Sequence, residues 1–439
     1  MKLIQTAFGL VAAATAFADV TPQVDNVTIR QTGSRKVEIG YTLANAPAIV
    51  TVDIQTNRGD GVFVSIGGKA VRSVTGAANE VIYGDGAKKA FWYPDIQWPE
   101  SGNGSIAGDN LRAAVTAWSP SAPPDYLVIN LADKTEPLRY YVSEDALPRD
   151  ISDDYYRTNS LVMRKIPARG VRWRIGAANG ETGYVSGEDP RWMTLTEDYY
   201  MAVFEMTGKQ ATLMGTQNPW TGYTVAKSAV RPCSWVYYTN LRGTGESIAA
   251  GSYLAAINKN FPLNFDIPTE AQWEYACRAG CGLDHYDGTP NSATDDATLS
   301  RMGRHRGNSG RGSGVKDWTA IMSTTDTYTA RVGEYLPNAW GLYDMLGNVA
   351  EWCRDYGVPR TAPTGTEGTL VDFVQTDPTG ATQAQGGNTR IAKGGSWCDG
   401  SWAFRAPKRY YLSEKNTSEI YCCDPFSIGY RLVCPIPGK

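Results

Sequence analysis

From about residue 21 to residue 131, apolar and polar positions alternate in short runs: NVTIRQ, KVEIGYTL, AIVTVDIQT, GVFVSI, AFWYPDI, LRAAVTAWS and DYLVINL. Alternation with period two puts one face of each run toward a core and the other toward water, the signature of half-buried strands. Between the runs lie turn-forming stretches such as Asn57-Arg58-Gly59-Asp60-Gly61 and Ser101-Gly102-Asn103-Gly104-Ser105. Seven short strands over about 110 residues predict a β-sandwich at 19–132, of fibronectin or immunoglobulin type. No Cys…Trp…Cys core occurs there, which favours the fibronectin variant. The stretch LADKTEPL (131–138) is charged and Pro-containing, so the boundary is set there, with 133–166 as linker and entry to a second domain at 167–437.

Beyond Arg139 the alternation stops, and long Gly, Asn and Thr stretches carry scattered tryptophans. One helix is well marked in PTEAQWEYACRAG: Thr269 as N-cap, Gln272 three residues later to complete a capping box, and Gly280 as the stop. A second helix is expected over SYLAAINKN (252–260). Such a loop-rich unit needs another source of order, metal ions or disulfides.

Composition narrows the functional classes. The formal charge is −3 and no basic run stands out, which argues against a nucleic-acid partner. The 13 Trp and 25 Tyr are high counts; such a surplus usually packs cores, but amphipathic rings also line sugar- and peptide-binding surfaces. The N-terminus carries Lys2, an apolar run from Leu3 to Phe17 and an Ala16-Phe17-Ala18 cleavage pattern, so 1–18 reads as a signal peptide. That run is shorter than a membrane span and contains Gln5, and no later segment approaches about 18 apolar residues. The expectation is therefore a secreted, periplasmic or cell-surface protein with no membrane span. Its eight cysteines all lie after residue 230. In an oxidising compartment they are expected to pair, in roughly a hundred possible ways.

Several chemical motifs fail on inspection. GGKA (67–70) lacks the glycine and hydroxyl of a phosphate loop. Gly394-Gly395-Ser396-Trp397-Cys398 lacks the closing glycine of a nucleophile elbow. His285 and His305 are the two histidines of the chain, too few for a three-histidine metal centre. The segment DMLGNVAEW gathers Asp344, Asn348 and Glu351 around a Gly-Asn turn, the oxygen-rich chemistry that a hard cation such as Ca²⁺ takes.

Four pieces then occur in a specific order: IPTEAQWEYACRAG (267–280), ARVGEYLPNAWGLYDMLGNVAEWCRD (330–355), RIAKGGSW (390–397) and IGYRLVCP (428–435), with LTEDYYMAVFEMTGKQ (195–210) upstream. Together they resemble the formylglycine-generating enzyme (sulfatase-modifying factor) family over more than half of the chain. The resemblance implies an α+β, C-type-lectin-like fold with little regular secondary structure, ordered by calcium. Matched residue by residue, it implies one Ca²⁺ at the Asp344 and Glu351 side chains and the Gly347 and Val349 carbonyls. A second would sit at Asn308, the Ser309 carbonyl, Asp326 and the Tyr328 carbonyl.

The activity that the resemblance implies is oxidation of a sulfatase cysteine to formylglycine, using O₂ and a Cu(I) held by two thiolates, the soft ligands this ion favours. Those thiolates follow the serine of the Gly-Gly-Ser motif by three and eight positions, where this chain has Asp399 and Phe404. Calcium is therefore expected and copper is not. Cys398 stands one place out of register; it is the candidate catalytic thiol, and a disulfide to Cys422 or Cys423 is the simpler expectation. The reading adopted is a binding protein whose groove, lined by Ser396, Asp399, Trp402, Phe404, Tyr410 and Tyr411, takes a peptide or glycan. The alternative readings are an exported oxidase that rebuilds a copper site from Cys398 with Cys422 or Cys423, and a cell-surface adhesion module.

Overall fold

The computed structural model describes residues 21–437 except 34, 58, 95–109, 179, 217–228, 290–296, 311–328, 361–373, 381 and 416–426. The leader reading at 1–18 thus lies outside the described residues, as do Asp326, Tyr328, Cys422 and Cys423.

The alternating runs form strands as their pattern demands. Six of them give β1 (Gln23–Gly33), β2 (Lys36–Ala44), β3 (Ala48–Asn57), β4 (Phe63–Ser65), β7 (Gly86–Trp92) and β8 (Leu111–Trp118), and two short strands that no run marked, β5 (Thr75–Gly76) and β6 (Val81–Ile82), lie between them. One antiparallel sheet runs β1-β2-β7-β5; the other runs β4-β3-β6, with β8 also paired to β3. In β2 every second side chain is buried, namely Val37, Ile39, Tyr41 and Leu43. Val37, Ile39 and Trp92 of the first sheet meet Val52, Ile54 and Ala113 of the second, so the two sheets face each other across an apolar core.

The seventh run, DYLVINL, departs from this expectation. It forms β9 (Tyr126–Asn130) and pairs with β10 (Arg139–Tyr141) and β11 (Ser160–Ile166), outside both sandwich sheets. Its side chains explain the move: four consecutive residues, Tyr126 to Ile129, are buried, so it is covered on both faces and not on one. The charged stretch 131–138 is consequently the turn of a hairpin within one sheet, closed by the Asn130 side chain accepting the Ala132 and Asp133 N–H groups. Residues 133–166 are no linker, because β11 is the middle strand of a five-stranded sheet ordered β10-β9-β11-β14-β20, with β14 at Tyr199–Ala202 and β20 at Val433–Pro435.

Two small sheets complete this second unit. The first is β12-β13-β16, with β12 (Arg172–Ile175), β13 (Arg191–Thr194) and β16 (Val374–Thr376). The second is β18-β17-β15-β19, with β15 (Ala350–Tyr356), β17 (Thr389–Lys393), β18 (Tyr410–Ser413) and β19 (Ile428–Gly429). One-turn helices aside, its described helices are α1 (Gly208–Leu213), α2 (Tyr253–Asn260) and α3 (Glu270–Arg278). The expected capping box of α3 is formed: the Thr269 hydroxyl accepts the Gln272 N–H at 3.1 Å and the Gln272 side chain accepts the Thr269 N–H at 3.0 Å. The helix ends one residue before the expected glycine, at Ala279 in the left-handed region.

The cysteines correct another expectation. Cys233, Cys277, Cys281, Cys353 and Cys434 are free thiols. Four of the five are fully enclosed in the main core, where they pack as small apolar side chains, and burial pushes their thiols up in pKa. Order in this unit therefore comes chiefly from a source other than disulfides.

Candidate functional site

Besides its large apolar core, this unit encloses a network of buried charges built by the very motifs that share the unusual sequence signature. Asp344 and Asn348 adopt left-handed backbone conformations on either side of Gly347 (φ 96°). A Cβ on Gly347 would stand 2.6 Å from both the Arg304 carbonyl oxygen and the Phe404 ring, so the tight approach requires glycine. Asn348 ties four segments together. Its side chain accepts the Ala330 N–H and donates to Glu205 at 2.6 Å, and its carbonyl accepts the Trp397 N–H of the Gly-Gly-Ser-Trp stretch.

Glu351, at the start of β15, is fully buried and doubly engaged. It accepts hydrogen bonds from two nitrogens of the Arg431 guanidinium, Nη2 at 2.7 Å and Nε at 3.0 Å, and from the Trp273 indole N–H at 2.7 Å. Arg431 also donates to the carbonyls of Ala202, Val203 and Tyr343. Glu205 accepts the Val349 N–H at 3.0 Å. Asp344 accepts the Gly333 N–H through Oδ2, while its Oδ1 is enclosed without a hydrogen-bond partner.

Three carboxylates thus share one enclosed volume. Burial, reinforced by Asp344 and Glu351, pushes Glu205 well above the ordinary carboxylate range, with Arg431 opposing. Burial likewise raises Asp344 to about 6, against the Gly333 N–H and the Arg431 and Arg157 guanidinium groups. A second network lies behind α3. Glu274 accepts Lys393 at 3.0 Å and Arg278 at 2.9 Å, and Arg409 donates to Glu270. There burial raises Glu270, but Arg360, Arg409 and Lys393 outweigh it and hold the carboxyl down to about 2.

The segment after Gly395 forms the remaining wall. Ser396 is buried and donates to Asp399 Oδ2 at 2.6 Å; its oxygen also lies 3.1 Å from Cys398 Sγ. Cys398 itself is buried and disulfide-bonded, with the second sulfur outside the described residues. Burial raises the Asp399 carboxyl, opposed by the hydroxyls of Ser396 and Tyr410 and by Lys408. Phe404 is fully buried, edge-on to His305 at 5.5 Å between ring centroids. The groove expectation is therefore corrected for Phe404: it is core, because Gly347 leaves the space its ring fills. Trp402 is the exposed member of the set, 42% accessible. Tyr410 is mostly buried, with its ring centroid 6.4 Å from that of Trp402. Tyr411 is half-buried and its hydroxyl takes a hydrogen bond from Arg409.

The structure brings Asp344, Gly347, Val349 and Glu351 together around one turn, as their spacing requires. Asn308 and Ser309 lie on a separate turn, where the Asn308 side chain accepts the His305 N–H and donates to the Gly303 carbonyl. Three members of the network escaped the sequence reading: Glu205, Asn348 as its hub, and Arg431. Each had a signal. Glu205 and Arg431 are isolated charges inside apolar runs, VFEM and GYRLV, where an unpaired charge would be untenable.

With this geometry in place, the sequence comparisons are unambiguous about family. A model of the sulfatase-modifying factor enzyme 1-like domain matches residues 177–435, and the chain belongs to that family. Among curated relatives, the formylglycine-generating enzyme of Thermomonospora curvata is 34% identical over 140 residues, which is 32% of this chain and 41% of that protein. The mouse formylglycine-generating enzyme is 32% identical over 142 residues, 32% of each chain. The chaperone protein LppX of Paenibacillus barcinonensis is 25% identical over 245 residues, 51% of this chain and 72% of that protein. The chain thus spans well under half of the length of the two named enzymes. Among solved structures, Treponema denticola variable protein 1 aligns at 22% identity with a TM-score of 0.44, covering 63% of this chain and 95% of that one.

Proposed function

We propose that this chain is an exported binding protein, built on a C-type-lectin-like variant of the family domain, which takes a peptide or glycan at the surface around Trp402. The observation that carries this reading is what stands where Cu(I) thiolates would be required. Asp399 is a buried acid bonded to Ser396, Phe404 is a buried ring, and Cys398, the nearest sulfur, is already in a disulfide. A bis-thiolate copper site needs two accessible soft ligands. The relative matched over the largest share of its own length carries a chaperone's name, which also supports a role other than oxidation.

Calcium is part of the proposal. The enclosed, unpartnered Oδ1 of Asp344 and the excess of carboxylates around it fit a hard cation, which would neutralise them and lock the Gly347 turn. Asp344 and the carbonyls of Gly347 and Val349 would hold it. Glu351 would have to share an oxygen already taken by Arg431 and Trp273. The ion would supply order and no chemical step. Export rests on the leader pattern at 1–18; no helix among the described residues is long and apolar enough to cross a membrane.

The test is direct. Purified chain is incubated with Cu(I), O₂ and a cysteine peptide of sulfatase type, and the product is weighed by mass spectrometry. No aldehyde and no stoichiometric copper uptake are expected. Aldehyde formation lost in Cys398→Ser would establish the oxidase instead, with Cys422 or Cys423 as second ligand.

A further inference from the structure

The surface around Trp402 carries two cations that form no close ion pair among the described residues. Lys408 is only 9% accessible, yet its ammonium has no ion-pair or hydrogen-bond partner there. It lies over the Trp402 ring at 4.9 Å and the Tyr410 ring at 5.4 Å, and it is not one of the polar atoms sealed from solvent. The charges of Glu188 and Asp399 reach it, but neither acid bonds to it: Glu188 is held by both terminal nitrogens of Arg405, and Asp399 takes the Ser396 hydroxyl. Arg306 is exposed and without an ion pair among the described residues. Its Nη2 lies 2.9 Å from where a Cβ on Gly400 would stand, and that same point is 3.3 Å from the Trp402 indole. The absent side chain of Gly400 is what allows the guanidinium to approach the ring.

An exposed indole flanked by two cations outside any close ion pair matches one kind of ligand: a flat, partly apolar ring that carries an anion. We propose that this patch is a subsite for an acidic saccharide, whose sugar face stacks on Trp402 while its carboxylate or sulfate reaches Lys408 and Arg306. The proposal rests on the binding reading of this domain and names its ligand class. The backbone favours a saccharide over an acidic peptide. The N–H groups of Arg306, Asp399, Ala403 and Phe404 are already bonded to local carbonyls, of Asp399, Ser396, Gly400 and Ser401 in turn. A peptide main chain would find few donors to pair with, whereas a sugar needs only the side chains.

Calorimetric titration of the full chain tests this with four probes: a galacturonate hexasaccharide, a sulfated galactose oligosaccharide, its unsulfated counterpart and a hexaglutamate peptide. The expected result is binding of one or both acidic saccharides, weakening as salt rises, and at least about tenfold weaker binding of the neutral one. Trp402→Ala and Arg306→Gln should each lower affinity about tenfold at an unchanged melting temperature, while Lys408→Arg retains binding and Lys408→Gln does not. The uronate and sulfate arms separate the two sources of negative charge. Equal affinity for neutral and acidic saccharides overturns the subsite but leaves the binding reading standing. Hexaglutamate binding as tightly as the saccharides, with the same loss in Trp402→Ala, overturns the saccharide assignment in favour of a peptide. Binding of no acidic saccharide overturns the proposal, and only aldehyde formation by the wild type would also remove the binding reading.

Discussion

Both halves of this molecule have apolar cores, but they differ in how much charge they bury. In the β-sandwich, Thr51 is the one polar side chain among the described residues that is buried, and the core is Val, Ile, Ala and Trp from facing sheets. In the second unit, Arg157, Glu205, Glu274, Glu351, Lys393, Arg405 and Arg431 are all buried to within a few per cent. Apolar burial is non-directional and tolerant, so the sandwich asks only for a pattern. Buried charge is costly unless each group meets its partner, so the second unit asks for particular residues at particular places. That difference explains why one half shows period-two alternation and the other shows long, ordered motifs.

The sharpest way to break the comparison is at Arg431. Arg431→Met removes the counter-charge from Glu351 and leaves three carboxylates enclosed together, which should cost about 3–5 kcal/mol. Urea unfolding followed by the fluorescence of Trp273 and Trp352, both buried beside the network, reads this out. The double variant Arg431→Met with Glu351→Leu should recover a substantial part of the loss, since an apolar pair leaves no orphan charge. A single variant costing under about 1 kcal/mol would show that the network is incidental.

The sandwich counterpart is Ile39→Ala, which opens a cavity between the sheets. A loss of about 2–4 kcal/mol is expected, confined to the transition reported by Trp92. If the transition of the second unit moves equally, the two halves unfold as one. Contact exists for such coupling: Ile49 of β3 packs into the core of the second unit, Arg139 pairs with Glu80 at 2.9 Å, and the Tyr140 N–H donates to Asn79.

What was legible in the residues follows the same division. Alternation located the sandwich strands, but it could not say which sheet DYLVINL joins, because four buried residues in a row carry no face. In the second unit the motifs identified the family and the Asp344–Glu351 turn. They did not reveal that Glu351 already answers to Arg431, since partners 80 residues apart leave no local trace. Cysteine count misled, because five thiols are free and four of them pack as core side chains. Phe404 looked like groove because register alone was visible, whereas the space under it depends on Gly347 from another segment.

A smaller effect concerns pH. Asp344 holds its proton to about 6 in the folded chain, against an ordinary value near 3.9 when unfolded. Between those values the folded state binds more protons, so the stability contributed by this group is full below about pH 4 and is lost as pH rises through about 6. The loss should be on the order of 2–3 kcal/mol, and Asp344→Asn should flatten it. Millimolar Ca²⁺ should stabilise the wild type more at pH 7.5 than at pH 5, and Asp344→Asn little at either. Equal calcium stabilisation at both pH values would move the ion away from Asp344.

The smallest effect tests whether local signals matter in a unit whose buried charges pair over long range. Thr269 closes the capping box of α3, satisfying the Gln272 N–H that the first helical turn cannot. Thr269→Ala should cost about 1 kcal/mol, and Thr269→Ser nearly nothing, as judged by urea midpoints at constant slope. The site also bears on the network, because α3 carries Glu270, Trp273 and Glu274 into it. A cost well above about 2 kcal/mol would exceed what a cap supplies. It would mean that the N-terminal turn of α3 positions the buried carboxylates, so that in this half of the molecule even a local hydrogen bond acts through the charges it places.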